Sequence, residues 1–271
     1  MLQDKLMGTY FGSMIGDFLG TTIEFCTQPQ IKKRFPETKD YLSYVMRKEP
    51  HLSDETLFLN HSIDHFLFPD TTYEQHLGRL ANFSEEELRK RGISQKMRKL
   101  ISFYDEYPDL ENPFVDNQGS GFIPLVLPLI QEATSQQRLV DLLEFYVAKT
   151  HKNANKQAIE RYFTTLYALV NNERIDIPLL DISKIKIVTG SSEDILSTAL
   201  VLYSNAHSDF NEMVGIALKT FERADYDTLF FATGALIGAD IGFNKLPKTL
   251  IRKVQKQIDW NNMNKYVRGV A

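Results

Sequence analysis

Two sets of glycines constrain this chain before anything else does. Gly8, Gly12, Gly16 and Gly20 recur at four-residue intervals within KLMGTYFGSMIGDFLG, and Gly234, Gly238 and Gly242 do so within LFFATGALIGADIG. Four-residue spacing puts residues on one helical face, so each set draws a bare stripe along a helix. A glycine inside a helix costs about 1 kcal/mol against alanine. A whole stripe therefore predicts a helix that another backbone approaches closely, because the missing Cβ makes the room. Leu6, Tyr10, Met14 and Phe18 give the first helix an adjoining apolar edge. In the second, no charge appears between Asp227 and Asp240, so the helix is expected to be buried and to start near Asp225 or Asp227.

An acidic pair thus crowns the open end of a core helix. Carboxylates are favoured there by the unpaired N–H groups of the first turn. Taken alone, Asp225 reads most simply as an N-cap. Two further acidic groups with neighbouring hydroxyls stand at helix ends: Glu24 beside Thr21 and Thr22, and Ser53-Asp54-Glu55. Ser53 is a good N-cap for a helix whose apolar positions are Leu57, Phe58, Ile63, Phe66 and Leu67. Hard divalent cations take oxygen ligands from carboxylates, hydroxyls and water. A pair of such ions about 4 Å apart needs roughly four carboxylates, and Glu24, Asp54, Glu55, Asp225 and Asp227 supply them. The competing account is three capped helices in an acidic protein. Asp17 sits within an unusually apolar stretch, either exposed or held for a purpose. His61 and His65 are four apart but lack the H-E-x-x-H pattern of a zinc site, and are expected to flank the helix surface.

The remainder reads as about ten helical segments with short connections. Ser84 followed by Glu87 forms a capping signature for a helix ending at Gly92. Met97, Leu100, Ile101 and Tyr104 give the next helix its inward face, and YPDLENPFVDNQGSGF is a turn-rich loop. Two amphipathic helices follow between Gln131 and Asn171, with Thr150 and His151 between them. Ile175, Ile177, Ile185, Ile187 and Val188 alternate in part, but their flanks favour a loop or short helical turns over a strand. There is no strand-helix rhythm, no phosphate-binding glycine loop and no nucleophile elbow. With 43% hydrophobic residues and a formal net charge of −4, the chain shows no basic excess that would suggest nucleic acid. Cys26 is the only cysteine, which excludes an internal disulfide. No apolar run is long enough to span a membrane, and the first residues lack the pattern of a signal peptide. A cytoplasmic, monomeric protein folded as one all-α domain over residues 1–271 is the expectation.

Several segments resemble the ADP-ribosylglycohydrolase family, which includes the enzymes that remove ADP-ribose from dinitrogenase reductase. GTYFGSMIGDFLGTTIEF is similar to the family's opening segment. HLSDETLFL is similar to its Thr/Ser-Asp-Asp-Thr metal motif, and AKTHKNANKQAIERYFTTLYAL to its Thr-His segment. RADYDTLFFATGALIGADIGFNKLP resembles the Gly-Gly-Asp-x-Asp-Thr motif with its following helix. The matches fall in the family's order and cover almost the whole chain.

The resemblance implies an all-α orthogonal helical bundle and a metal-dependent hydrolase. The bond cut would join ADP-ribose to a protein side chain or to part of a related small molecule. It implies one or two Mg²⁺ ions, with Mn²⁺ as a substitute, held by Ser53, Asp54, Glu55, Asp225, Asp227 and Thr228. It assigns Glu24, Asp54 and Glu55 to catalysis, Asn117, Gln118, Gly119 and Ser120 to the substrate, and Thr150 and His151 to the scaffold. An ADP-ribosylated protein or an ADP-ribose-containing small molecule would be the partner. The departures are equally specific. Glu55 stands where the family has a second aspartate, Arg223-Ala224 where it has two glycines, and Gln118 where it usually has asparagine. Arg223 either blocks the ribose pocket or pairs with a phosphate. These changes keep open a non-catalytic relative that binds ADP-ribose or a protein, and a hydrolase for another nucleoside-like or glycosidic substrate.

Overall fold

The structure is a computed structural model that describes residues 1–24, 26–68, 70–173, 175, 177 and 181–269. Its centre is the pair of helices that the glycine stripes announce, Leu2–Thr21 and Tyr226–Ile241. They lie antiparallel, because Gly8 faces Gly238 while Gly20 faces Tyr226 and Asp227. The stripes interlock: a Cβ on Gly12 would come within 2.9 Å of the Gly238 Cα, and one on Gly20 within 2.5 Å of the Asp227 Cα. A Cβ on Gly16 would run into the carbonyl of Phe230. This contact fixes the register and delivers the end of the first helix to the start of the second. Gly242 has a separate task. It lies just past the helix end with φ of +80°, a left-handed value that glycine accepts freely.

Both helices are buried along nearly their whole length. Around them an all-α orthogonal bundle closes, its largest elements being Asp54–Leu67, Gln136–Ala148, Lys156–Val170 and Ser192–Ala206. Tyr162 from the Lys156–Val170 helix donates its buried hydroxyl to the Ala232 carbonyl at 2.7 Å, and Tyr41 donates likewise to Leu19. A smaller apolar cluster is formed by Tyr73, Leu77, Leu88, Met97, Leu100, Ile101 and Tyr104, among others. Local signals place most helix starts: Ser53 accepts from the Glu55 N–H, Ser94 from Met97, and Ser84 and Glu87 form the expected capping box. The helix there ends at Lys90, and Gly92 carries a φ of +95°.

Ile187–Val188 and Arg223–Ala224 pair as a parallel two-residue ladder. Among the described residues of this segment the expected helical turns appear at Ile182–Lys184; Ile175 and Ile177 adopt neither helix nor strand, and several of their neighbours lie outside the described residues. The histidines also differ from expectation. His65 is buried, and His61 and His65 face His76 of the Tyr73–Gly78 helix, with ring centroids 3.9 Å and 4.9 Å from it. That short helix covers what the sequence alone leaves on the surface. No helix of the described residues is long and apolar enough to cross a membrane.

Candidate active site

The glycine contact sets the site. Because Gly20 packs on Asp227, the turn after the first helix brings Glu24 near the residues that open the second. The third contributor is the start of the Asp54–Leu67 helix, and Asp17 anchors it. Its buried carboxylate accepts the Ser53 N–H at 3.1 Å, the Ser53 hydroxyl at 2.8 Å and the Thr56 hydroxyl at 2.6 Å. It also accepts from Thr21 at 2.8 Å. Asp17 is therefore a structural clamp, which explains a carboxylate inside so apolar a helix.

Asp54, Glu55 and Asp227 each bring a carboxylate oxygen within 4.8 Å of the others. This cluster can chelate a divalent cation. Thr228 donates its hydroxyl to Glu55 at 2.6 Å, and the Thr228 N–H reaches the Asp227 carboxylate at 2.9 Å. Asp225 occupies the N-cap position, yet its side chain accepts no capping hydrogen bond, which leaves the carboxylate free to face the cleft. The simple N-cap account of Asp225 does not describe its side chain.

Electrostatics match the crowding. Burial, then the charges of Glu55, Asp225 and Asp17, pushes Glu24 up to about 8. Burial followed by Asp17 and Asp225 pushes Glu55 up to about 7. Asp54 and Asp227 are raised well above the usual carboxylate range, first by burial and next by Glu55. Ser53 makes the same point in atoms. Its single hydroxyl proton faces both Asp17 and Glu55 while the oxygen accepts the Glu55 N–H at 3.3 Å. One proton serves one carboxylate at a time, so the crowded carboxylates compete for donors as well as repel one another. A divalent cation would relieve the same repulsion, so the donor set fits a hard metal ion.

These carboxylates line one side of a cleft of about 480 Å³, within the range of small-ligand sites. Glu24, Asp54, Glu55, Asp225, Asp227 and Thr228 all reach it, as do Asn117, Gly119 and Ser120 from the loop. Ser53 lies beneath the cleft, buried under the cluster. Gln118 turns its side chain to solvent, and its carbonyl accepts the Ser192 N–H at 2.9 Å. Arg223 is exposed and off the lining, because alternation along its two-residue strand sends Arg223 outward and Ala224 inward.

Other residues of the cleft escape sequence reasoning. Gly92 and Gly190 bring backbone against carboxylates: a Cβ on Gly92 would lie 3.2 Å from Asp54 Oδ1, and one on Gly190 2.7 Å from Asp225 Oδ2. The helix stop expected at Gly92 does not disclose its approach to Asp54. Lys96 and Met97 come from the start of the Gln95–Glu106 helix. His151, read as scaffold, is buried but lines the cleft. Its ring is 5.3 Å from Phe122, and its Nδ1 has no hydrogen-bond partner among the described residues. Burial, with the charge of Lys96 adding, pushes its imidazole down to about 3, so it is neutral at ordinary pH.

Fold and site together define an all-helical protein with an acidic cleft suited to a divalent cation. The ADP-ribosylglycohydrolase family matches residues 1–270, and the chain belongs to that family. Among solved structures, one described as an ADP-ribosylglycohydrolase-related protein complex is similar with a TM-score of 0.71 and 18% identity. The likeness covers 100% of this chain and 99% of that one, and at this identity it speaks to the fold. The comparison with curated proteins finds no match.

Proposed function

We propose that this protein is a divalent-cation-dependent hydrolase of the bond joining ADP-ribose to a protein side chain or to part of a related small molecule. The observation that carries the reading is the convergence of Asp54, Glu55 and Asp227 at a ligand-sized cleft in a member of this family. Those three residues would hold Mg²⁺ or Mn²⁺, with Asp225 and Thr228 beside them and Ser53 supporting Glu55 from below. When bound, such an ion supplies Lewis-acid charge that orients ribose hydroxyls and water. Glu24, half-buried at the cleft, accepts a proton as water bonds to the anomeric carbon. The bond to the leaving atom breaks, that atom takes up a proton, and nearby negative charge favours the oxocarbenium-like state between.

A calorimetric titration of ADP-ribose in excess Mg²⁺ and in EDTA tests this. The expected result is micromolar binding that requires the metal, followed by turnover of arginine- or serine-linked ADP-ribose. Equal binding in EDTA overturns the role of the metal, and no binding in either buffer overturns the substrate. One observation favours a second reading, a relative that binds ADP-ribose without cleaving it. Both oxygens of Glu55, one methylene longer than the family's aspartate, are engaged by the Ser53 and Thr228 hydroxyls. Metal-dependent binding with no turnover at any Mg²⁺ or Mn²⁺ concentration would select it.

A further inference from the structure

The cleft gathers five carboxylates, yet among the described residues Lys96 is the only lysine or arginine on its lining. A phosphate-bearing substrate entering it needs donors. The backbone amides of the glycine-containing loop are the obvious source, but two of them are already committed. The Gly119 N–H donates to Asn117 Oδ1 at 3.0 Å and the Ser120 N–H to the Gly190 carbonyl at 3.0 Å. Lys96 stands where that loop meets the cleft, its ammonium donating to the Asp116 carbonyl at 2.9 Å. An ammonium has three donors, and this contact uses one. Lys96 also lies in the first turn of a twelve-residue helix that begins at the cleft, where the helix end adds partial positive charge.

We infer that Lys96 reads the anionic part of the substrate: it contacts the diphosphate and gives the cleft its preference for a nucleoside diphosphate sugar over an uncharged nucleoside or glycoside. A compact ammonium on a flexible stem suits a phosphate oxygen whose position varies. This inference rests on the ADP-ribose reading of the site and names the residue that selects that substrate class.

The test is calorimetric titration of ADP-ribose and of adenosine, in excess Mg²⁺, into the wild type, Lys96→Met and Lys96→Arg. Lys96→Met is expected to weaken ADP-ribose at least about tenfold, with most of the affinity restored in Lys96→Arg and adenosine unchanged across all three. The salt dependence of ADP-ribose affinity should also shrink in Lys96→Met, which loss of a mere loop strut would not cause. Equal ADP-ribose affinity in wild type and Lys96→Met overturns the assignment and leaves the substrate reading standing. Equal losses for adenosine and ADP-ribose with an unchanged salt dependence overturn it too, making Lys96 a strut. Absence of ADP-ribose binding to the wild type overturns the substrate reading and this inference together.

Discussion

One wall of the cleft stands on two helices locked backbone to backbone, the other on a loop and the first turn of a helix that rests on the smaller apolar cluster. The first wall carries Asp225 and Asp227 at the start of one of those helices and Glu24 just past the end of the other, with Asp54 and Glu55 joining from a third helix whose start Asp17 clamps; neither partner in the locked register can shift without a clash. The second carries Lys96, Met97 and the Asn117–Ser120 loop, held by hydrogen bonds rather than interlocked backbone, such as Lys96 to Asp116, Ser192 to Gln118 and the Ser120 N–H and hydroxyl to Gly190. Cation ligands tolerate little displacement, and the proposed ones stand on the rigid pair or on the helix start that Asp17 of that pair clamps. The proposed substrate contacts sit on a loop and a helix start, the part that can change without disturbing the core.

Removing a ligand from the rigid wall should give the largest effect. Asp227→Asn keeps the shape of the side chain but removes one of three converging charges. Turnover of an ADP-ribosylated substrate should fall about a thousandfold or more, while the thermal midpoint in EDTA holds or rises because a buried like-charge contact is gone. Turnover within a few fold of wild type would show that the carboxylate cluster is not the catalytic centre.

Next comes the rigid wall itself. Gly16→Ala would drive a methyl into the Phe230 carbonyl, and backbone cannot rotate away as a side chain can. A loss of about 3 kcal/mol in a denaturant melt is expected, together with weaker Mg²⁺ binding as Glu24 and Asp227 move apart. Gly119→Ala, on the other wall, would meet the Asn117 side chain at 3.2 Å and the Gly190 carbonyl only at an ordinary 3.7 Å, and should cost much less. Equal losses at the two sites would erase the contrast between the walls.

The same contrast decides how much of the molecule its sequence discloses. Glycine stripes, caps and acidic clusters are local patterns with a fixed period, so the central helices and five cleft carboxylates are legible from the chain alone. Contacts across long sequence separations are not. Nothing near Gly190 announces that Asp225 will lie against it, and nothing near Lys96 announces the loop twenty residues on. His65 reads as a surface residue because the helix covering it begins only at Tyr73. The ladder of Ile187–Val188 with Arg223–Ala224 has two residues in each strand, too short for a sequence pattern to mark it as a strand. A match in residue type does not give the local contacts either: Ser53 fits the metal motif, and the sequence does not say that its hydroxyl lies between Asp17 and Glu55.

A pH series separates the regions by sign. Glu24 and Glu55, at about 8 and about 7 in the cation-free protein, hold protons that the unfolded chain releases near 4.5. Their contribution to stability is full below about 4.5 and is lost as pH rises through 7 to 8. The stacked histidines act oppositely. Burial pushes His61 down to about 3 and His65 to about 4, so the unfolded chain takes up protons first and stability falls as pH drops below about 6.5. In EDTA the thermal midpoint should therefore decline on both sides, by about 5 °C between pH 6 and 8.5 on the alkaline side. Saturating Mg²⁺ should flatten the alkaline limb alone, since a bound cation takes over from the protons. An alkaline limb unchanged by Mg²⁺ would mean that the ion does not bind this cluster.

The smallest effect is expected where the sequence departs most visibly from its family. Arg223 replaces a glycine beside the last acidic pair, which suggests an obstruction or a phosphate contact. The strand pairing turns its side chain to solvent, and no described ion pair holds it there. Arg223→Ala should thus change stability by less than about 0.5 kcal/mol and leave ADP-ribose affinity within twofold. Arg223→Gly, which restores the family residue, should behave the same in binding and lose only a little strand stability. A tenfold rise in affinity in both variants would mean that Arg223 obstructs the pocket in solution, and a tenfold fall would mean that it grips the substrate. Either result would move the selective element from Lys96 on the loop side to the strand that leads into the rigid wall, and the division of labour between the two walls would have to be redrawn.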